Sequence, residues 1–438
     1  MFKYFPQTSD DVKQMLDKIG FNSLEDFYAD VPGSIRLRHD YDLPSQKSEL
    51  EIRKIFELLA KENKDLICLA GAGVYDHDTP AVVPQLVERS EYLTCYTPYQ
   101  AEISQGTLQY IFEYQTMMAR LTGMEVSNAS MYDGSTATAE AAMMACSISR
   151  RSNIIVMSPT IDPKIRDVVK TYAHFHRIQI LDLPFTNGMT DFSSLENVLS
   201  QNDVAGLIVQ QPNYFGIVED FSHVADLCHS HKALFIMNSI AADLALLKSP
   251  GEWGADIAVG EAQSLGIPMA WGGPYLGYMC TSEKYMRKMP GRIVGQTIDD
   301  RGNRAFVLTL QAREQHIRRQ KATSNICSNE SLMALWVTIY MAVMGKQGIK
   351  DVATLSCDGA HYLHDKLIAT HRFTDSFPQT KFLNEFCVNY DGNIEHQYQK
   401  WLDNGYFGGI KLNDNTVMLA VTEKVGKEDI DRFVELVI

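Results

Sequence analysis

The segment at residues 96–102 gathers side chains that suit the binding of a small polar substrate. It reads Tyr-Thr-Pro-Tyr-Gln-Ala-Glu, so the phenols of Tyr96 and Tyr99 stand close to the amide of Gln100 and the carboxylate of Glu102. The proline between the phenols stiffens the backbone. Groups of this kind orient a carboxylated substrate or stack on a planar ring, although an aromatic turn without a ligand is equally compatible with the spacing.

A second segment, at residues 130–140, has the composition of a phosphate-binding helix start. Its sequence Ser-Met-Tyr-Asp-Gly-Ser-Thr-Ala-Thr-Ala-Glu opens an Ala- and Met-rich helix with glycine and hydroxyl residues. Free N–H groups at the start of a helix bind phosphate well. The same residues also cap ordinary core helices, and on this segment alone the capped helix is the favoured interpretation.

Residues 255–278 contain a predicted buried strand followed by a Gly-rich turn. In enzymes that use pyridoxal phosphate (PLP), a strand and turn of this kind carry the lysine that forms the Schiff base with the cofactor. Gln263 stands at that position here, and a neutral amide cannot form an imine. Taken with the helix start at residues 130–140, this substitution predicts a phosphate cup that has lost its cofactor.

Residues 313–327 combine a basic stretch, predicted to be helical, with a Thr-Ser-Asn turn. Arginines and hydroxyls together suit an anionic phosphate or carboxylate, whereas a solvated helix face explains the arginines nearly as well. No metal site is predicted, because the eight cysteines show no Cys-x-x-Cys spacing, and His361 and His364, which could share a helix face, have no third ligand evident nearby. The cysteines are expected to be buried free thiols.

The overall composition is that of a globular protein: of 438 residues, 45% are hydrophobic and 21% charged. The net charge of −14 disfavours nonspecific binding to nucleic acid or to an anionic membrane. The first residues lack the apolar core of a signal peptide, and no stretch is expected to span a bilayer. A cytoplasmic location, without nucleic-acid or membrane partners, is therefore expected.

Alternating apolar runs and amphipathic stretches predict an α/β fold. Continuous apolar runs with amphipathic helices between them form a βαβ series, which favours a mostly parallel central sheet. We expect an N-terminal helical arm at residues 1–65, a large α/β domain at 66–325 and a small C-terminal α/β domain at 326–438. The predicted strands of the large domain lie at residues 153–157, 178–183, 205–210, 233–237 and 255–259.

The two ends of the chain give separate helix signals. A capped amphipathic helix is predicted from Thr8 to Gly20, and further helical stretches follow in the arm. Towards the C-terminus, a long apolar helix is predicted at residues 332–344, ending near Gly345. A strand at residues 416–422 and a closing helix after Gly426 complete the small domain.

Four long segments resemble a single family. In chain order they are Gly-Ala-Gly-Val-Tyr-Asp-His at residues 71–77, Tyr-Thr-Pro-Tyr-Gln-Ala-Glu at 96–102, Gln-Ala-Arg-Glu-Gln-His-Ile-Arg-Arg at 311–319 and Ala-Thr-Ser-Asn-Ile-Cys at 322–327. Together they resemble the glycine cleavage system P-protein, glycine dehydrogenase (decarboxylating), and specifically subunit 1, the alpha chain, of its split form. Single-chain P-proteins are much longer, so the length of the chain also indicates the split form.

The resemblance implies a fold-type I, aminotransferase-like PLP architecture. In that arrangement the alpha chain pairs with a beta chain, subunit 2, which carries the lysine and the PLP. The complex, expected to be a heterotetramer, decarboxylates glycine, releases carbon dioxide and passes the aminomethyl group to the lipoyl arm of the H-protein.

A second altered position accompanies Gln263. Fold-type I enzymes place an aspartate against the pyridinium nitrogen of PLP, on the strand before the lysine strand, and Asn238 stands there in this chain. Asparagine cannot keep that nitrogen protonated as a carboxylate does. Many alpha chains retain the aspartate, so Asn238 is a departure from the family. Both positions predict that this chain alone lacks PLP and has no catalytic residue of its own.

The resemblance also implies an active site at the interface between subunits. Thr323 and Ser324 are then expected to reach the phosphate held by the partner, in a positioning role. The residues expected to border the partner's glycine and PLP are Tyr96, Tyr99, Gln100 and Glu102.

Two other interpretations stay open. A free-standing PLP enzyme would use a different lysine, but Lys232 and Lys248, the lysines between residues 204 and 280, are not in the turn after residue 259. A non-enzymatic scaffold would have kept the fold and lost the chemistry, and the retained segments at residues 96–100 and 322–325 argue against it.

Overall fold

The computed structural model describes residues 4, 6–39, 41–150, 152–322 and 324–437. The chain divides into two compact units, Met1–Lys64 and Asp65–Ile438. The second unit contains every sheet found among the described residues. The domain boundaries predicted at residues 65 and 325 stay predictions.

The first unit is helical. Helix α1 (Ser9–Ile19) begins at Thr8, whose hydroxyl accepts a hydrogen bond from the Asp11 N–H while the Asp11 carboxylate accepts one from the Thr8 N–H. It ends at Gly20, which has a left-handed conformation with φ of 79°. Helix α2 (Glu49–Ala60) has no buried residue. The capped first helix is as predicted.

The second unit alternates helices and strands. Its helices are α3 (Val82–Val87), α4 (Ser90–Leu93), α5 (Gln105–Thr122), α6 (Gly134–Ser149), α7 (Pro163–His176), α8 (Leu195–Gln201), α9 (Val224–Ser230), α10 (Gln315–Arg318), α11 (Ser331–Ala369), α12 (Ile394–Asp403) and α13 (Lys427–Glu435). Its strands are β1 (Ile67–Cys68), β2 (Val126–Ser127), β3 (Ile154–Met157), β4 (Gln179–Asp182), β5 (Phe185–Thr186), β6 (Met189–Thr190), β7 (Gly206–Gln211), β8 (Leu234–Ile240), β9 (Ile257–Glu261), β10 (Gly277–Thr281), β11 (Ile293–Ile298), β12 (Arg304–Thr309), β13 (Phe373–Asp375), β14 (Glu385–Tyr390), β15 (Tyr406–Phe407), β16 (Ile410–Lys411) and β17 (Thr416–Ala420).

A seven-stranded sheet forms the centre of this unit, in the order β2-β10-β9-β8-β7-β3-β4. The strands from β9 to β4 are parallel, whereas β10 is antiparallel to both β9 and β2. The predicted strands correspond to β3, β4, β7, β8 and β9, so the mostly parallel α/β fold is confirmed. Strand β10 adds to the predicted set, because the Gly-rich turn after β9 returns the chain along the same sheet.

Helix α6 packs on this sheet through small residues. Ala137, Ala141 and Ala145 are fully buried in its core, so the helix axis comes close to the strands. At its first residue, a Cβ on Gly134 would lie 2.9 Å from the backbone nitrogen of Glu261. The glycine therefore lets the start of α6 rest directly against the carboxyl end of β9.

Helix α11 consists of two helices that meet at a kink at Gly345. The φ of 61° and ψ of −178° at this glycine are not helical, so the predicted end of the apolar helix near Gly345 is confirmed. A second helix, which was not predicted, follows directly and continues to Ala369. In the described part of the chain, α11 alone is long and apolar enough by composition to cross a membrane, which corrects the expectation that no stretch is. Its Val337 and Leu363 are fully buried in two separate apolar cores, as in a core helix.

An antiparallel sheet in the order β13-β14-β17-β16 follows α11 in the chain. Strand β17 and helix α13 confirm the predicted strand at residues 416–422 and the closing helix. At the start of β14, Glu385 accepts hydrogen bonds from the Ala72 N–H (2.6 Å) and the Tyr75 hydroxyl (3.0 Å). This sheet is thereby attached to the Gly-rich segment at residues 71–77.

Candidate functional site

A cavity of about 440 Å³ opens at the carboxyl ends of β8 and β9. We call it the sheet-end cavity; it is lined by Gly134, Ser135, Asn238 and Glu261, among others. In open α/β sheets, ligands bind at the carboxyl ends of parallel strands. The predicted phosphate cup and Asn238 therefore lie in one cavity.

The start of α6 is already occupied by two carboxylates of the chain. Asp133, the residue before the helix, accepts a hydrogen bond from the Thr136 N–H at 2.8 Å. Glu261 accepts one from the Gly134 N–H at 3.0 Å. A phosphate at this helix start would need the same N–H groups, so the predicted cup is filled from within the chain.

Glu261 binds two further backbone groups. Its other carboxylate oxygen accepts hydrogen bonds from the N–H groups of Gln263 and Leu276, both at 3.0 Å. Burial raises the pKa of Glu261 to about 7, and the three hydrogen bonds oppose that shift. The sequence analysis did not single out Glu261. A glutamate at the end of a buried strand, two residues before the expected lysine position, is the signal that identifies it.

Asn238 forms part of the cavity wall on β8 and is 2% exposed. Its side-chain amide donates a hydrogen bond to the Thr138 hydroxyl at 2.7 Å, and that hydroxyl donates to the Gly134 carbonyl at 2.7 Å. The amide thus fixes the first turn of α6. Its relation to a cofactor nitrogen, implied by the resemblance, stays a prediction.

Gln263 is fully buried, and its side-chain amide is bound to backbone groups on both sides. The Nε2 group donates to the carbonyls of Tyr75 (2.9 Å) and Ile267 (2.6 Å), and Oε1 accepts from the Tyr75 N–H (3.0 Å). An amide suits this place because it donates and accepts at once. Gln263 therefore ties the segment at residues 71–77 to the turn after β9, and its side chain is not available to a ligand.

The sheet-end cavity does not fit PLP. Its lining includes the carboxylates of Asp133, Asp162, Glu261 and Glu330, and Lys164 is the one lysine among the described lining residues. Phosphate is an anion that repels nearby carboxylates. With the helix start filled and Gln263 bound to the backbone, the residues present hold neither a phosphate nor a Schiff base after β9.

The residues predicted in the segment at 96–102 lie at the surface. Tyr96 is 76% and Tyr99 54% exposed, and Gln100 and Glu102 are exposed as well. The rings of the two tyrosines have their centroids 6.5 Å apart. These four residues, together with Arg292, which lies under Tyr99, are called the half-site below.

Arg292, which the sequence analysis did not single out, lies under Tyr99. Its side chain is 3% exposed, and its Nη2 donates a hydrogen bond to the Tyr99 hydroxyl oxygen at 3.3 Å. The guanidinium carbon is 5.3 Å from the centroid of the Tyr99 ring. Arg292 directly precedes β11 and stands in no recognisable motif, so only the fold brings it to residue 99. A buried cation thus supports an exposed phenol.

Arg292 also connects Tyr99 to two later parts of the chain. Its Nε lies 3.7 Å from Glu314 Oε2, and its Nη1 donates to Asn329 Oδ1 at 3.5 Å. Both contacts are long, and Arg292 Nε and Glu314 Oε1 have no hydrogen-bond partner among the described residues. His316 stands beside them, with Nδ1 3.5 Å from Glu314 Oε2 and its ring centroid 6.4 Å from that of Tyr99. Polar atoms of Arg292 and Glu314 therefore have hydrogen-bonding capacity that the described residues do not use.

The segment at residues 313–327 is not one helix. Short 3₁₀ turns lie on either side of the four-residue helix α10. Arg313 is half-buried, and its guanidinium donates to the carbonyls of Met289, Gly291 and Leu310. Arg313 therefore anchors the segment and is not part of a solvated helix face. The expectation of buried thiols is also wrong at Cys95 and Cys327, which are both exposed.

Ser324 makes its hydrogen bond inside the chain. Its hydroxyl donates to Glu140 Oε1 at 2.6 Å, and Glu140 is a buried residue of α6 whose pKa is raised to about 7 by burial. Thr323 lies outside the described residues. That these two residues reach a phosphate held by a partner stays a prediction, and the Ser324 hydroxyl would have to leave Glu140 first.

The sequence of the chain is similar to those of known proteins. The family model for "Glycine cleavage system P-protein" matches residues 2–437. The chain is 47% identical over 437 residues to the probable glycine dehydrogenase (decarboxylating) subunit 1 of Moorella thermoacetica, covering 98% of each chain. It is 45% identical over 442 residues to the protein of the same name from Bacillus pumilus, covering 99% of this chain and 98% of that one.

Solved structures are similar as well. A crystal structure of glycine decarboxylase (P-protein) of the glycine cleavage system, in inhibitor-bound form, matches with a TM-score of 0.90 and 38% identity over 99% of each chain. A sphingosine-1-phosphate lyase from Burkholderia pseudomallei matches with a TM-score of 0.67 and 11% identity over 93% of each chain, which shows the fold alone.

Proposed function

Because this chain belongs to the glycine cleavage system P-protein family, we propose that it works as the alpha subunit of a two-chain glycine dehydrogenase (decarboxylating) whose second subunit binds the PLP. The relatives named subunit 1 match it over nearly its full length, and its fold is that of fold-type I PLP enzymes. In this proposal the complete enzyme decarboxylates glycine and passes the aminomethyl group to the lipoyl arm of the H-protein.

The observation that carries the division of labour is the filled helix start in the sheet-end cavity. Glu261 accepts the Gly134 N–H at 3.0 Å, where an external phosphate would have to bind. Gln263, at the expected lysine position, is bound to the backbone of residues 75 and 267. A chain whose own cavity is closed in this way contributes to PLP chemistry through another surface.

The half-site is the surface that suits this contribution. The Tyr99 oxygen accepts a hydrogen bond from Arg292, which leaves the phenolic proton free to be donated outward. Accepting from a cation makes a hydroxyl a stronger donor. Glycine presents a carboxylate, and carboxylates accept such hydrogen bonds well. Tyr99 and Tyr96 therefore orient the substrate in the partner's active site, while the partner subunit supplies the covalent chemistry.

The proposal is tested by purifying the chain alone and together with its second subunit. The expected result is that the chain alone shows no covalently bound PLP, and that glycine–bicarbonate exchange appears only in the mixture. Exchange combines the decarboxylation of glycine with its reversal, so the readout is the carboxyl carbon of glycine and not a product on the H-protein. Covalent PLP on the isolated chain, or a mixture without exchange, would contradict the proposal.

The second candidate function is a free-standing PLP enzyme, because one lysine lines the sheet-end cavity. Lys164 lines the sheet-end cavity and is exposed at the start of α7. If this candidate were correct, the isolated chain would show the absorbance of a PLP imine, and Lys164→Ala would remove it. We expect no such absorbance in either protein.

A further inference from the structure

We propose that Glu261 is a built-in occupant of the anion cradle at the start of α6, and that removing its carboxylate opens a phosphate site in this chain. The inference deepens the proposed function, on which it rests, by naming the group that closes the cavity to a phosphorylated cofactor. The cradle consists of three backbone N–H groups, those of Gly134, Gln263 and Leu276.

The convergence of these groups is what makes the place an anion site. The three N–H groups come from separate parts of the chain: the first residue of α6, the turn after β9 and the residue before β10. Each meets a Glu261 oxygen at 3.0 Å. Backbone N–H groups that point to one spot at the start of a long helix bind a carboxylate and a phosphate alike. Glu261 is thus the anion that the fold now holds there.

The strand backbone that carries the Glu261 carboxylate is closely packed. A Cβ on Gly134 would lie 2.9 Å from the Glu261 nitrogen, so the helix start rests on the backbone of β9. A Cβ on Gly260, next to Glu261, would lie 1.9 Å from the Ser239 carbonyl oxygen, so β9 is also pressed against β8. The backbone that carries Glu261 is held on both sides.

The cavity behind the cradle is large enough for a phosphate once the carboxylate is gone. It measures about 440 Å³ and is also lined by Ser135, whose hydroxyl is a further donor near the helix start. Asp133, Asp162 and Glu330 line it too, and Lys164 supplies a positive charge. The vacated site should therefore bind phosphate measurably but without the affinity of a dedicated cofactor site.

The test compares the wild-type chain with Glu261→Ala and Glu261→Ser, using inorganic phosphate as the probe. Isothermal titration calorimetry is done on each full chain in chloride buffer of equal ionic strength. We expect Glu261→Ala to bind phosphate at least tenfold more tightly than the wild type. Glu283→Gln, at an exposed carboxylate that does not line the cavity, serves as the control and should behave as the wild type.

Each outcome decides the inference. Phosphate binding by the wild type as tight as that of Glu261→Ala, or a folded Glu261→Ala without a gain, would overturn it. If Glu261→Ala does not fold, Glu261→Ser takes its place, because its short side chain also vacates the three N–H groups; equal phosphate binding by Glu261→Ser and the wild type then overturns the inference. Covalent PLP on the wild-type chain would instead overturn the proposed function, so the two failures are distinguishable.

Discussion

The sheet-end cavity and the half-site differ in how far their polar groups are satisfied. At the carboxyl end of β9, the side chains of Glu261 and Gln263 each make three hydrogen bonds to the chain, at 2.6–3.0 Å. In the half-site, the contacts of Arg292 measure 3.3–3.7 Å. Buried polar groups normally find partners. The comparison teaches that the polar groups at the end of β9 are satisfied within the chain, whereas those of the half-site are only loosely paired, as our proposal of a partner at that surface requires.

The largest effect is expected from removing the side-chain hydrogen bonds of Gln263. Gln263→Leu leaves the Tyr75 N–H and the Ile267 carbonyl without a side-chain partner, whereas the Tyr75 carbonyl keeps the hydrogen bond from the His77 N–H at 3.1 Å. Unsatisfied buried groups cost about 1–3 kcal/mol each. We expect the free energy of unfolding to fall by about 3 kcal/mol, measured by urea denaturation.

The matched control for this change is Gln399→Leu. Gln399 is exposed and bonds only to Asp403 one turn away, so its change should stay within about 0.5 kcal/mol. Equal destabilisation by both substitutions would show that the buried hydrogen bonds of Gln263 do not stabilise the fold.

The second-largest effect is expected in the half-site. Arg292→Lys keeps a positive charge but loses the planar guanidinium that reaches Tyr99, Glu314 and Asn329 together. A displacement of Tyr99 by about 1 Å would lower exchange by about 10²-fold. Assembly with the second subunit, measured by size-exclusion chromatography, should be unchanged. Arg301→Lys, at an exposed turn between β11 and β12, is the control, and an equal loss there would count against this role of Arg292.

A smaller effect is expected when only the phenolic hydroxyl is removed. Tyr99→Phe keeps the ring over Arg292 but deletes the group that accepts its hydrogen bond and donates outward. The loss of one hydrogen bond corresponds to about a tenfold decrease in kcat/KM for glycine in the exchange assay. Tyr285→Phe provides the comparison outside the half-site. Unaltered kinetics in Tyr99→Phe would remove this hydroxyl from the half-site.

The smallest effect is a pH dependence of stability that originates in the cavity. The native pKa of Glu261 is about 7, above its ordinary 4.5, so its protonated form favours the folded state. That contribution is complete below pH 4.5 and is lost as the pH rises through 7. Between pH 6 and pH 8 the wild type should lose about 1 kcal/mol that Glu261→Gln does not lose. Urea denaturation at both pH values measures the difference, and parallel curves for the two proteins would refute it.

Much of the fold could be predicted from local patterns in the sequence. The strands β3, β4, β7, β8 and β9 follow from continuous apolar runs, and the cap at Thr8 follows from residue types three positions apart. The end of the first half of α11 at Gly345 was also predicted, because glycine adopts a positive φ readily. The prediction did not include the second half, which packs in a separate apolar core. Local propensity does not contain that tertiary burial.

The sequence by itself determined that Gln263 has no amine and Asn238 has no charge, whatever surrounds them. It also marked the tyrosines at residues 96 and 99, since their spacing is local. Only the tertiary structure decided what the side chains at the end of β9 bind and which residue lies under Tyr99. Glu261 meets Gly134 across 127 positions and Arg292 meets Tyr99 across 193. Contacts over such separations arise from the packing of strands and helices, which no local pattern of residues records.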